Sequence, residues 1–194
     1  MAKKESTFTN MVLTLVIITG LAGLSLAGVK ELTKDAIAKA EKDKLESALK
    51  VVLPEFDNDI SQDKKEVQIT DKDKLIFYYA KKGEEAVGTA VETYTNKGFS
   101  GKFRIMVGFR PDGTIINTSV LEHFETPGLG DKMDASKSPF PNQFIDKNPG
   151  TFNMKVTKDG GEVDAITAAT ITSRAFSDAV QRAYDEFIKD GGTR

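Results

Sequence analysis

Residues 6–29 carry no charged side chain, and residues 11–27 are mostly Leu, Ile, Val, Ala, Gly and Thr. No other stretch limits the fold as strongly. A helix rises about 1.5 Å per residue, so the run is long enough to cross a hydrocarbon core of roughly 30 Å. A buried helix of a water-soluble domain would show a polar face, and this one has only Thr and Ser to offer. The competing reading is a secretory signal peptide with Ser25-Leu26-Ala27 as a small-residue cleavage site. The length of the run favours an uncleaved anchor; a mature chain starting at Gly28 would select the signal peptide. Lys3 and Lys4 precede the run, while Lys30, Lys34, Lys39, Lys42 and Lys44 follow it. Counting Lys and Arg alone, the large domain would face the cytoplasm, although that rule is weak for long translocated domains.

Behind the anchor, Leu32, Ala36, Ala40, Leu45, Ala48, Leu49 and Val52 recur at helical spacing between Lys, Glu and Asp. This predicts a stalk or docking helix over 29–52, stopped by Pro54. Strands are predicted over 66–70, 75–80, 86–94, 102–109 and 114–123. Arg110-Pro111-Asp112-Gly113 is a strong turn signal, because Pro presets φ and Gly accepts a positive one. Residues 138–150 read as an irregular loop with a short helix, whose Phe140 and Phe144 are core aromatics by default and flavin-stacking groups as the alternative. A second hairpin is predicted over 152–166, turning at Lys158-Asp159-Gly160-Gly161. A final amphipathic helix from Ser173 to about Lys189 puts Phe176, Ala179, Val180, Ala183, Tyr184 and Phe187 on one face. The order of elements implies an α+β domain with an antiparallel sheet and flanking helices, not alternating βαβ units. The chain thus divides into an anchor (1–29), a stalk (30–55) and a folded domain (56–194).

Composition removes several classes of function. The chain has 194 residues and no Cys, which excludes thiolate iron–sulfur clusters, disulfides and Cys–zinc sites. His123 is the single His, so no multi-histidine metal site can be built. A net charge of -2 gives no basic nucleic-acid surface. A Gly-x-Gly-x-x-Gly fingerprint is missing, which argues against a Rossmann unit. If the protein handles electrons, its redox group is organic.

The stretch Asp164-Ala165-Ile166-Thr167-Ala168-Ala169-Thr170-Ile171-Thr172-Ser173 lies between a predicted strand and the last helix. A helix N-terminus offers unpaired N–H groups and partial positive charge, and small side chains let an anion approach them. A hydroxyl there can cap the helix, bind a phosphate or carry one. From the residues alone, the cap is the commoner outcome. The stretch resembles the flavinylation motif of the FMN-binding domains found in the G subunit of Rnf complexes and in the C subunit of the sodium-pumping NADH:quinone reductase. Ala168 stands where that family usually has Gly, at a cost of about 1 kcal/mol if the position needs a positive φ. Glu125-Thr126-Pro127-Gly128-Leu129-Gly130 resembles the second signature of the same family.

The resemblance covers residues 86–190 well and the anchor loosely. It implies FMN joined through its phosphate to Thr170, with Thr167, Ala168, Ala169, Thr172 and Ser173 around the phosphate. Asp164 either positions the acceptor loop or is a turn residue. Glu125, Thr126 and Leu129 become candidate flavin contacts. Thr170 has no activating base beside it in sequence, so the resemblance implies attachment by a separate Mg²⁺-dependent transferase that uses FAD. It also implies an extracytoplasmic domain and other membrane proteins of an Rnf-type complex as partners, with ferredoxin/NAD electron transfer coupled to Na⁺ or H⁺ movement. Chain length favours the Rnf relative over the quinone-reductase one. His123 reads as a packing residue, or more sharply as a proton donor to reduced flavin. The reading from another class is a non-redox anchored module whose Thr-rich junction binds phosphate or only caps a helix.

Overall fold

The apolar run and the amphipathic stretch behind it form one continuous helix, α1 (Phe8–Val52), of 45 residues. The structure is a computed structural model describing residues 7–60, 62–70 and 73–192. The chain divides into two units, residues 1–43 and 44–194. In the first unit the described side chains are exposed apart from half-buried Thr33. The hydroxyls of Thr14 and Thr19 donate back to the carbonyls of Asn10 (2.7 Å) and Leu15 (2.8 Å). These hydroxyls are therefore satisfied within the helix, as a lipid environment demands. Among the described residues, α1 is the one helix long and apolar enough to cross a membrane.

The second unit is built on a five-stranded antiparallel meander in sequential order: β1 (Lys64–Gln68), β2 (Lys74–Lys82), β3 (Glu85–Gly98), β4 (Gly101–Phe109) and β5 (Ile115–Glu122). The antiparallel α+β expectation is met. Arg110 N–H bonds to the Thr114 carbonyl across the β4–β5 turn, and Gly113 takes φ 82° there.

Alternation along the strands sends side chains to two faces, each covered by a helix. On one face Phe77, Val91, Phe103, Ile105, Val107 and Phe109 pack with the last helix, α2 (Thr170–Lys189). Its apolar stripe of Phe176, Ala179, Val180, Ala183 and Phe187 is buried. Two β3 hydroxyls fix its register: Thr93 donates to the Ala179 carbonyl (3.1 Å) and Thr95 to Asp178 (3.0 Å). On the other face the end of α1 packs Ala48, Leu49 and Val52 against Tyr78, Ala90 and Met106. Gly108 makes that contact possible, since a Cβ there would lie 1.7 Å from the Val52 carbonyl oxygen. Phe140 and Phe144 sit in a short 3-10 turn (Phe140–Phe144), with ring centroids 5.4 and 5.1 Å from Phe176. They are core aromatics.

Two expectations are corrected. The strands predicted over 152–157 and 162–166 do not form. A 3-10 turn (Thr157–Asp159) ends at Gly160, φ 79°, and Val156 and Val163 make a single parallel bridge. Gly161 explains the tight reversal: a Cβ there would lie 1.9 Å from the Lys155 carbonyl oxygen. The chain doubles back too closely for an antiparallel ladder. Helix α2 also begins at Thr170 rather than Ser173. The Ser173 hydroxyl donates to the Ala169 carbonyl (3.1 Å) and accepts the Ile166 N–H (2.9 Å), drawing the preceding turn onto the helix.

Asp178 joins α2 to the sheet electrostatically. Burial pushes its carboxyl up, but hydrogen bonds from Lys97 and Thr95, helped by the charges of Lys97 and Arg182, outweigh this and hold it below the ordinary range. A carboxylate depressed in the folded state stabilises the fold above its unfolded value of about 3.9 and loses that contribution as pH falls through the lower folded value. Asp178→Asn is therefore expected to lower stability at pH 7 and to flatten the decline below about pH 4. Urea unfolding at pH 7 and pH 3 checks this; equal losses at both values contradict it.

Candidate functional site

Three segments meet at the N-terminus of α2. The first is the β3–β4 turn, Gly98-Phe99-Ser100-Gly101. The second is the loop after β5, running through Glu125, Thr126, Leu129 and Gly130. The third is the turn 166–169 with the first turn of the helix. Together they line a cavity of about 300 Å³ containing Phe99, Glu125, Thr126, Leu129, Ala168, Ala169, Thr170, Ile171 and Thr172.

The helix start is open to an anion. Ala169 is the N-cap residue at φ -134°, ψ 43°, and no side chain caps the helix. The N–H groups of Thr170, Ile171 and Thr172 precede the first intrahelical donor, Ser173, whose N–H reaches the Ala169 carbonyl. The neighbouring Ala168 adopts φ 62°, in the left-handed region. A Gly would fit this conformation without strain. Ala168→Gly should relieve roughly 1–2 kcal/mol of strain, partly offset by roughly 0.5–1 kcal/mol of added unfolded-chain entropy. A slightly higher melting midpoint is the expected result, and a lower one contradicts the strain.

The hydroxyls differ sharply in availability. Thr170 is half-buried, is the first residue of α2 and lines the cavity. Thr172 is 1% exposed and donates to Glu125 Oε2 at 2.8 Å. Ser173 is fully buried and gives its proton to the Ala169 carbonyl. Thr167 is exposed and lines a different hollow, beside Asp164, Gln143 and Lys132. The Asp164 backbone exchanges hydrogen bonds with the Gln143 amide at 2.8 and 3.1 Å, while its side chain is exposed. Thr126 and Leu129 are exposed at the mouth, where the Thr126 carbonyl accepts the Leu129 N–H (3.1 Å). His123 Nδ1 accepts the Glu125 N–H (3.2 Å), which shapes the loop; His123 is not among the lining residues.

Phe99 and Ile171 lie outside the residues that the two motifs single out as candidates. Both are exposed apolar side chains on the cavity wall, at 67% and 48%. A large aromatic between two glycines in a turn was the available signal for Phe99. With Leu129 they give the cavity an apolar wall beside the helix N–H groups. One apolar side and one anion-accepting corner suit a ring system carrying a phosphate, which is the shape of FMN. The Ala side chains at 168 and 169 are small enough to leave the corner accessible.

A family model described as an FMN-binding domain matches residues 98–185, a span that opens at the Phe99 turn and encloses both loops and Thr170. The chain is 38% identical over 178 residues to the G subunit of the ion-translocating oxidoreductase complex of Vibrio vulnificus, covering 88% of this chain and 82% of that protein. It is 35% identical over 177 residues to the corresponding protein of Shewanella baltica, with 87% and 82% covered. It is 34% identical over 172 residues to that of Cereibacter sphaeroides, with 86% and 78% covered.

Proposed function

The chain belongs to the family formed by the G subunit of ion-translocating oxidoreductase complexes, and from this we infer that it is a membrane-anchored flavoprotein with FMN attached to Thr170. The single observation behind the choice of residue is its place in the fold. Thr170 lies at the first position of α2, in the wall of the cavity, beside N–H groups that no side chain caps.

Attachment balances as a phosphoryl transfer. The Thr170 oxygen bonds to the phosphorus of the FMN half of FAD, the pyrophosphate P–O bond breaks, AMP leaves, and the hydroxyl proton passes to a base. The base and the Mg²⁺ belong to a separate transferase on this reading; Thr170 is its substrate. The product is a phosphodiester with one negative charge. The first-turn N–H groups stabilise that charge by roughly 0.3–1 kcal/mol if exposed, and up to about 2 kcal/mol if partly buried. A covalent tether keeps the cofactor at a high local concentration. Phe99, Leu129 and Ile171 would offer the isoalloxazine an apolar surface.

Bound FMN supplies one- and two-electron chemistry. The chain would relay electrons within the complex, coupling ferredoxin/NAD electron transfer to Na⁺ or H⁺ movement. The large domain would lie outside the cytoplasm, with α1 as the anchor and the other membrane proteins of the complex as partners. Protein purified from its native host should fluoresce as a band on a denaturing gel under ultraviolet light. A dark band from a host that makes the transferase would overturn covalent attachment. Protease added to intact spheroplasts should remove the domain; a protected domain would reverse the orientation.

A further inference from the structure

We propose that Glu125 is a positioning residue, whose carboxylate is reserved for the protein and sets the shape of the flavin-acceptor corner instead of binding the flavin phosphate. This rests on Thr170 being the flavin acceptor. Glu125 is 5% exposed, although it sits in an otherwise open loop. Its two oxygens reach two different segments of the cavity wall. Oε1 accepts the Ser100 N–H at 3.1 Å, from the β3–β4 turn that carries Phe99. Oε2 accepts the Thr172 hydroxyl at 2.8 Å, from the first turn of α2. With its own loop, one side chain ties all three walls together.

Two glycines make room for it. A Cβ on Gly98 would lie 2.7 Å from Oε1, and one on Gly130 would lie 2.4 Å from Oε2. Neither space can be narrowed without displacing the carboxylate. A carboxylate beside an incoming phosphate would compete with it if both sought the same donors. Here they do not compete. Glu125 takes a hydroxyl and a turn N–H, leaving the helix N–H groups to the anion. Thr172, 1% exposed beneath the corner, is held out of reach of an incoming phosphorus, which leaves Thr170 as the accessible hydroxyl.

Geometry and charge can be separated by substitution. A Gln amide at 125 can accept the Ser100 N–H and donate to the Thr172 oxygen, keeping both bonds without the charge. Ala keeps neither. The test uses full-length apo-protein in detergent, given FAD, Mg²⁺ and the purified transferase, with intact mass read against time. E125A should be modified about 10–100-fold more slowly than the parent, as expected when a reacting group is misplaced, while E125Q stays within about threefold. T172V, which removes only the bond to Oε2, should be slowed no more than E125A, and the double variant should be little slower than E125A, where that bond is already lost. Hydrogen exchange of the apo-proteins gives a flavin-independent readout: the amides of 173–176, the first that bond within the helix, should exchange faster in E125A and T172V but not in E125Q. E125A modified at the parental rate, or E125Q as slow as E125A, would overturn the proposal. A parent that accepts no flavin would instead overturn the assignment of Thr170, and the exchange pattern would still decide the role of Glu125.

Discussion

Thr170→Val is expected to yield a folded, colourless protein. The substitution keeps the branched shape and removes the oxygen proposed to carry the phosphate. The side chain is half-buried and caps nothing, so stability should change by no more than about 0.5 kcal/mol. The mass excess of esterified FMN should vanish, and fluorescence at the denatured band with it. The other hydroxyls should not substitute. Those of Thr172 and Ser173 are buried and bonded, and Thr167 faces another hollow. Thr167→Val should therefore retain full flavin content. A Thr170→Val protein that keeps its covalent flavin would move the attachment point elsewhere.

The second large effect falls in the core. Phe176 is fully buried, and its ring meets Phe140 and Phe144 with centroids 5.4 and 5.1 Å away. Truncation to Ala removes the apolar contact and leaves a cavity, at about 3–5 kcal/mol. That is a large part of a typical total stability of about 5–15 kcal/mol. The melting midpoint should fall by roughly 6–20 °C for a domain of this size. Phe124→Ala, at an exposed site, should leave it nearly unchanged. The functional consequence follows from position. Phe176 lies on the second turn of the helix whose first residue is Thr170, so loosening its packing releases the acceptor end as well. A Phe176→Ala protein that melts within a couple of degrees of the parent would contradict this account of the core.

What the sequence made visible, and what it hid, follows from local chemistry. The β4–β5 hairpin was readable because Pro111 and Gly113 fix the turn by their own backbone preferences. The apolar stripe of α2 was readable from its spacing. The reversal at 156–163 was not. Gly160 and Gly161 look like an ordinary hairpin turn, and only the close approach of Gly161 to Lys155 shows that the chain folds back with a single parallel bridge instead of an antiparallel ladder. The start of α2 was misplaced because the hydroxyl-rich stretch 164–173 reads as a junction, and β-branched Thr170, Ile171 and Thr172 favour a helix weakly. Tertiary bonds from Ser173 to Ile166 and Ala169 override that preference. In the site, the motif around Thr170 and the loop around Glu125 were legible as separate signatures. Their junction depends on a carboxylate reaching across the cavity, and the contribution of Phe99 depends on the strand pairing that brings its turn there.

The most direct measurement is a peptide map, by tandem mass spectrometry, of the protein made in its native host. The account predicts that the proteolytic fragment containing residues 164–173 carries one FMN residue in phosphodiester linkage, with fragment ions assigning it to Thr170. An unmodified fragment, or the flavin on any other residue, would contradict it.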